Sequence, residues 1–480
     1  MREACGVFGV YAPNEDVARL TFFSLFALQH RGQESAGIAS SDGNSIRSFT
    51  RMGLVSQVFD EESLSRLDGT IAIGHNRYST RGSSQACNAQ PVVVGQGDNA
   101  LAVAHNGNII NAETLYEELV DQGYLFKSST DTEVIANLIL SSPEKHWVDK
   151  IRYAMRRLKG AYSMTVLTRD TLFGVRDPLG VRPFCLGSIP NGGWVMASES
   201  CALDHIGADL IREIEPGEIL AINQDGLDSH RQDTDKRGLC IFEYIYFARP
   251  DSIISDRLVY EARWAMGARL AEEYPVDADV VIGVPDSATA AAVGYAVRSG
   301  IPLAEGLIKN RYIGRTFIEP AQRMRDMGVK MKFNPLVPVL KDKRVVLVDD
   351  SIVRGTTTPQ VIKLIKKAGA KEVHMRVCAP PLRYPCFFGV DVATRWELIA
   401  AQKNIPEIRD YIDADSLGYL SLEGLVEAVN LPRDLFCLAC FSGQYPIPVQ
   451  LEMDKLALES LPTRKAAKKH KAKATGGSPA

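Results

Sequence analysis

Arg344-Val-Val-Leu-Val-Asp349-Asp350-Ser-Ile-Val-Arg354-Gly355-Thr356-Thr357-Thr358 is the most specific local signal in this 480-residue chain, and its pattern decides the fold of the C-terminal half. An apolar strand ends in two acids and a Gly/Thr loop follows. A helix then opens near Pro359, with Val361, Ile362, Leu364 and Ile365 on one face. This order points free backbone N–H groups and the positive end of a helix at an anion, while the Thr hydroxyls add donors and Gly355 permits close approach. The loop reads as a monophosphate cradle. Two carboxylates beside a phosphate repel it unless they face cations or hydroxyls, and a ribose diol with hydrated Mg²⁺ supplies both. The Gly-Lys-Ser/Thr ending of a P-loop is absent. The plain alternative is an ordinary strand-loop-helix crossover with polar punctuation.

Outward from this stretch the same texture repeats. Asp279-Val-Val-Ile-Gly-Val-Pro285 runs into an Ala-rich helix, and apolar strands alternating with amphipathic helices predict a parallel, doubly wound sheet beyond about residue 255. Between the two strands, Lys309 to Lys332 carries seven Lys or Arg against two acids; it is either a solvated charged face or a lid hinged at Gly314 and Gly328 that closes over an anionic substrate. The Asp349 to Thr358 run resembles the phosphoribosyl-diphosphate signature of the type I phosphoribosyltransferases. The resemblance implies that Asp349 and Asp350 contact the ribose hydroxyls and that Arg354, Gly355, Thr356, Thr357 and Thr358 hold the 5-phosphate. It also implies that Val284-Pro-Asp-Ser287-Ala-Thr289 holds the diphosphate, with Mg²⁺ near Ser287, Asp349 and Asp350.

The N-terminal half has a different pattern. Short apolar runs, Gly6 to Tyr11, Thr70 to Ile73, Leu101 to Ala104 and Tyr162 to Leu167, are separated by Gly, Asn, Asp and Ser turns, as antiparallel strands would be. Asp16 to Gln29 and Thr130 to Ser141 have helical spacing, with acids at Asp131 and Glu133 where a first turn favours them. The expectation is mixed α+β. Cys5, in Glu3-Ala-Cys-Gly-Val-Phe-Gly, would by itself pass for a core thiol. Downstream, however, stand His30-Arg31-Gly32-Gln33-Glu34-Ser35-Ala36-Gly37, Gly74-His75-Asn76-Arg77-Tyr78-Ser79-Thr80, His105-Asn106-Gly107-Asn108 and Ser129-Thr130-Asp131-Thr132-Glu133.

In this order the motifs resemble the N-terminal-nucleophile glutamine amidotransferases, whose nucleophile is a chain-terminal Cys. A free α-amino group, with a pKa of about 7.7–8.0, can act as the base for its own thiol, so no separate His is needed. The resemblance assigns Arg77 to the glutamine carboxylate, Asp131 to its amino group, and the Asn106 side chain and Gly107 N–H to the oxyanion hole. Because the chain begins Met-Arg-Glu-Ala, residues 1–4 are expected to be a leader removed to expose Cys5.

Nine cysteines in a chain with no export signal and a default cytoplasmic address are expected to be buried, catalytic or metal-bound rather than disulfide-bonded. Cys437-Leu-Ala-Cys440 is a CxxC, which zinc, redox pairs and Fe–S clusters all use. With Cys240 and Cys386 it matches the cluster ligands of one branch of the amidophosphoribosyltransferase family, which the chain resembles from residue 5 to about 450. That resemblance implies a [4Fe-4S] cluster on Cys240, Cys386, Cys437 and Cys440. It implies a glutaminase of stacked antiparallel sheets between helices (5–235) and an α/β phosphoribosyltransferase domain with the cluster-binding segment (236–455). The implied reaction makes 5-phosphoribosylamine, glutamate and diphosphate from phosphoribosyl diphosphate, glutamine and water, the first committed step of purine (IMP) synthesis, with purine nucleotides as feedback inhibitors and a homotetrameric assembly. Cys87, Cys185, Cys201 and Cys378 are left as ordinary thiols. Residues 456–480 form an expected disordered tail: Arg464 to Ala480 carries six Lys or Arg and no acid, so the rest holds 49 basic against 58 acidic residues, a balance of −9. An acidic body argues against a nucleic-acid partner, and no apolar run approaches the roughly 18 residues of a membrane span.

Overall fold

The structure is a computed structural model that describes residues 5–78, 82–190, 192–232, 234, 236–310, 332–390, 394–449 and 457–460. The expected leader, residues 311–331 of the expected lid Lys309 to Lys332, and the expected tail 456–480 apart from 457–460 lie outside these residues; contrary to the disorder expected there, Ala457–Ser460 is a short helix with Leu458 buried. The chain forms two compact units. The first gathers the described residues of Met1–Leu239, Cys386–Ala393 and Pro446–Ala480; the second gathers those of Cys240–Pro385 and Thr394–Tyr445. No helix among the described residues is long and apolar enough to cross a membrane.

In the first unit two antiparallel sheets stack face to face. The strands Gly6–Tyr11, Ile71–Arg77 and Ser35–Ser41 are neighbours in a seven-stranded sheet, and Leu101–Ile109, Gly160–Leu167 and Leu172–Arg176 are neighbours in a six-stranded one. Side chains alternate as a pleated strand requires: Val7 enters the layer between the sheets with Ile73, Ala102 and Leu167, whereas Phe8 and Val10 face the helix Val17–Ala27. The helices Ala112–Asp121, Asp131–Leu140 and Trp147–Arg157 cover the outer face of the second sheet around Val103, Ile135 and Met164. The central strands of both sheets are thus buried on two sides, which is why they read as apolar runs.

The caps fall where the sequence opens its helices. Asp16 accepts the Arg19 N–H at 3.0 Å at the start of Val17–Ala27, and Thr130 accepts the Glu133 N–H at 3.4 Å at the start of Asp131–Leu140. Two strands run further than their apolar cores suggested. The first continues through His75, Asn76 and Arg77, and the second through His105, Asn106, Gly107, Asn108 and Ile109. These polar side chains are nearly all fully buried.

The second unit contains a parallel sheet in the order Val280–Gly283, Arg344–Asp349, Glu372–Val377, Ser416–Tyr419. The helices Thr289–Ser299, Thr358–Lys367 and Ile405–Ile412 lie in its crossovers, with Pro359 in the first turn of the second. The predicted strand and helix around Asp349 to Thr358 therefore both stand, and parallel pairing sends the loops after Gly283 and Asp349 out at one edge of the sheet.

Candidate active sites

Cys5 sits at the mouth of the first strand and is 4% exposed. Its Sγ donates to the Tyr78 carbonyl at 3.1 Å and accepts the Tyr78 N–H at 3.3 Å. Burial pushes the thiol up to about 11, against the lowering influence of that hydrogen bond and of Arg77; Glu34 and Asp131 add to the rise. The same through-space influences place Arg77 and Asp131 around the Cys5 sulfur, so the structure brings together the three residues most separated in the motifs. Arg77 is itself buried and donates to the Ser83 carbonyl at 3.1 Å and to Glu34 at 3.4 Å. Asp131 opens its helix and accepts the Ile109 N–H at 3.0 Å through Oδ2, which ties it to the strand bearing Asn106 and Gly107.

That strand carries two features of an oxyanion site. Among the described residues the buried Asn106 Nδ2 has no hydrogen-bond partner. An orphaned donor of this kind costs about 1–3 kcal/mol and persists where a ligand satisfies it. Gly107 has φ 152°, and a Cβ there would lie 1.9 Å from the Ala161 carbonyl oxygen, so no other residue fits. Behind the strand, His75 Nε2 meets the His105 carbonyl at 3.0 Å, and burial drives the His75 imidazole down to about 3, leaving it neutral.

The motifs left one supporting network unread. Arg31 Nε donates to the Cys5 carbonyl at 3.0 Å, and Arg31 Nη1 and His30 Nε2 meet the fully buried Glu199 Oε1 at 2.5 and 2.7 Å. Glu199, 168 positions from Arg31, gives this buried guanidinium a counter-charge. Nothing local in Ser198-Glu199-Ser200 signals it.

In the second unit, Asp349 ends its strand and Asp350 follows. The Asp350 N–H donates to Asp349 Oδ1 at 2.9 Å and the Ser351 hydroxyl to Asp350 Oδ1 at 2.5 Å. Burial, then the Asp350 charge, raises the Asp349 carboxyl well above the usual carboxylate range. The Val284 N–H donates to the Val348 carbonyl at 2.9 Å, which carries the Ser287 loop out beside Asp349. Gly355 is left-handed (φ 67°), Thr356 and Thr357 are exposed, and Thr358 begins the helix. Arg354, assigned to the phosphate, is ion-paired with Glu397 at 2.6 Å. The carboxylate pair, strained by its own charge, fits a divalent cation.

Residues 75–205 match a glutamine amidotransferase domain family and residues 260–383 a phosphoribosyl transferase domain family. The chain is 50% identical over 467 residues to an amidophosphoribosyltransferase of Synechocystis sp., covering 96% of this chain and 94% of that one. It is also 50% identical over 451 residues to an amidophosphoribosyltransferase of Archaeoglobus fulgidus, covering 93% and 98%. The chain belongs to the amidophosphoribosyltransferase family. Its activity is the family's, glutamine-dependent amidation of phosphoribosyl diphosphate in purine biosynthesis. Among solved structures, a glutamine phosphoribosylpyrophosphate amidotransferase from B. subtilis, complexed with ADP and GMP, has a TM-score of 0.88 and 45% identity, covering 94% of this chain and 99% of that one.

The four cysteines matched to a cluster are not in disulfides. Cys240 and Cys437 lie on two short paired strands, Cys440 is one turn further on, and its carbonyl accepts the Arg383 and Tyr384 N–H groups at 3.0 and 3.1 Å. Among the described residues no group of three or more His, Cys, Asp or Glu side chains is arranged to hold a metal ion as it stands. The donor set is nevertheless all thiol, which suits an iron–sulfur cluster and not Mg²⁺. Of the remaining thiols, Cys185, Cys201 and Cys378 are buried and Cys87 is exposed.

Proposed function

We propose that the activity divides between the two units, with Cys5 as the nucleophile of the first. After removal of residues 1–4, the Cys5 α-amine takes the thiol proton. The thiolate adds to the glutamine side-chain amide carbon, and the resulting oxyanion is held by Asn106 Nδ2 and the Gly107 N–H. Collapse breaks the C–N bond, the proton on the α-ammonium goes to the leaving nitrogen, and ammonia departs from a thioester that water then hydrolyses to glutamate. Arg77 and Asp131 orient the substrate through its carboxylate and amino group. The unpartnered Asn106 Nδ2 is the observation that carries this reading, since a preorganised oxyanion donor is worth about 3–4 kcal/mol in an acyl-transfer site.

In the second unit, Asp349 and Asp350 hold the ribose hydroxyls, Arg354 to Thr358 hold the 5-phosphate and Ser287 lies at the diphosphate. Ammonia attacks C1, the C1–O bond breaks, and diphosphate leaves. Ser287, Asp349 and Asp350 would hold a Mg²⁺ ion, which would supply positive charge to that leaving group. Cys240, Cys386, Cys437 and Cys440 would hold a [4Fe-4S] cluster of structural use, since the reaction moves no electrons. We further read the chain as cytoplasmic, homotetrameric and inhibited by purine nucleotides, the last supported by the ADP and GMP in the B. subtilis relative.

The test is Asn106→Ala. Glutamine-dependent synthesis should fall about 10²- to 10³-fold in kcat while ammonia-dependent synthesis is unchanged. A normal glutamine-dependent rate would overturn the assignment.

A further inference from the structure

The five residues Cys386 to Val390 belong by packing to the first unit, although they follow the stretch matched to the phosphoribosyl transferase family and are preceded by Pro385 of the second unit. They are nearly all buried: Phe387 is 1% and Phe388 2% exposed. Two consecutive carbonyls of this segment receive side chains from the glutaminase fold. Asn108 Nδ2 donates to the Phe387 carbonyl at 2.9 Å, and Arg182 Nη2 donates to the Phe388 carbonyl at 2.9 Å. Both donors are themselves buried. The third residue, Gly389, is left-handed (φ 97°), and a Cβ on it would lie 3.0 Å from the carbonyl carbon and oxygen of Gly107 and from Arg182 Nη2.

Arg182 is in turn bound to the strand next to the oxyanion strand. Its carbonyl accepts the Ser163 hydroxyl at 3.1 Å, and Ser163 is paired with Asn106 across the sheet. The segment therefore touches the oxyanion strand at Asn108 and beside the Gly107 peptide, and reaches the neighbouring strand through Arg182. Neither Asn108 nor Arg182 contacts a substrate by the reading above.

We propose that Phe387–Gly389 is a brace that sets the orientation of the Gly107–Asn108 backbone, with Asn108 as a positioning residue for glutamine hydrolysis. The inference rests on Asn106 and Gly107 being the oxyanion donors. The physical reason is that an oxyanion donor acts only if it already points at the position where charge develops. A strand residue with no side chain at its most constrained point cannot hold that orientation alone. A hydrogen bond one residue further on, to a carbonyl fixed by burial of Phe387 and Phe388, removes that freedom. Binding of glutamine, which uses Arg77 and Asp131, does not depend on it.

The test uses the full chain processed to Cys5, with Asn108→Ala as the main variant, Gly389→Ala as the second and Asn106→Ala as reference. For both brace variants the kcat for glutamine hydrolysis with phosphoribosyl diphosphate present should fall at least about tenfold, with KM for glutamine within about twofold. Alkylation of Cys5 by iodoacetamide, a displacement that forms no oxyanion, should proceed at the parent rate, as should ammonia-dependent synthesis. Unchanged kcat in both variants, or a rise in KM with kcat intact, overturns the brace, as does loss of ammonia-dependent synthesis, which would make the segment a general structural element. If only Asn106→Ala is impaired, the brace fails and the oxyanion reading stands. If Asn106→Ala is normal, both fail.

Discussion

Cys5 shows how a single residue's environment determines its chemistry. Burial raises its thiol to about 11, so in the uncleaved chain almost no thiolate exists at neutral pH. Cleavage to Cys5 adds an amine of pKa about 7.7–8.0 beside the sulfur, which becomes the base. The alkylation rate of uncleaved protein should therefore stay low and climb only toward pH 11, whereas processed protein should gain most of its rate between about pH 7 and 9. Profiles measured with iodoacetamide on both forms, with intact mass to identify each, check this; identical profiles would remove the amine from the mechanism. Cys5→Ser should abolish glutamine-dependent synthesis and leave ammonia-dependent synthesis in place, because the two steps use different units. The motif spelled out Cys5, Arg77, Asn106 and Asp131. It was silent on Arg31, Glu199 and Phe387, since their roles come from contacts across more than 160 positions (Arg31 to Glu199) or 279 positions (Asn108 to Phe387), which no local pattern encodes.

Elements were legible in proportion to how their apolar pattern matched their burial. The strand Arg344–Asp349 and the helix after it could be read to the residue because an apolar run ends in acids and Pro359 marks the first turn. The strands Ile71–Arg77 and Leu101–Ile109 were read short because their last residues are polar yet buried, a combination that local hydropathy assigns to loops. Those misread ends carry Arg77, Asn106 and Gly107. A comparable conflict at the edge of the parallel sheet yields a stability prediction. The Asp349 carboxyl binds its proton more tightly in the folded than in the unfolded chain. Its contribution to stability is therefore present below the unfolded-state pKa and lost as pH rises through the raised folded value. At pH 7.5 without Mg²⁺, Asp349→Asn should raise Tm by about 2 °C or more while abolishing synthesis with either nitrogen source. Adding Mg²⁺ should raise the Tm of the parent more than that of the variant. A lower Tm for the variant, or normal ammonia-dependent rates, would contradict the role given to this carboxylate.

At the scale of the whole molecule, the two units differ in how their chain segments are assembled. The first draws on three separate stretches of sequence and the second on two, and the proposed cluster ligands are Cys240, Cys386, Cys437 and Cys440. Cys437 and Cys440 aside, the proposed ligands lie about 50 to 200 positions apart in the sequence, and closing long loops is where a cross-link constrains the unfolded chain most. Anaerobically purified protein should be brown, with about four irons per chain, the content of one [4Fe-4S] cluster. Cys437→Ala should lose both the iron and the visible absorbance, and its Tm should drop well below that of the parent even before activity is measured, because the cost falls on folding and not on a reaction step. Iron-free protein that melts at the parent temperature and retains full glutamine-dependent synthesis would instead make these cysteines ordinary thiols, and would leave packing and hydrogen bonds such as those of Asn108 and Arg182 to hold Phe387–Gly389 in the first unit.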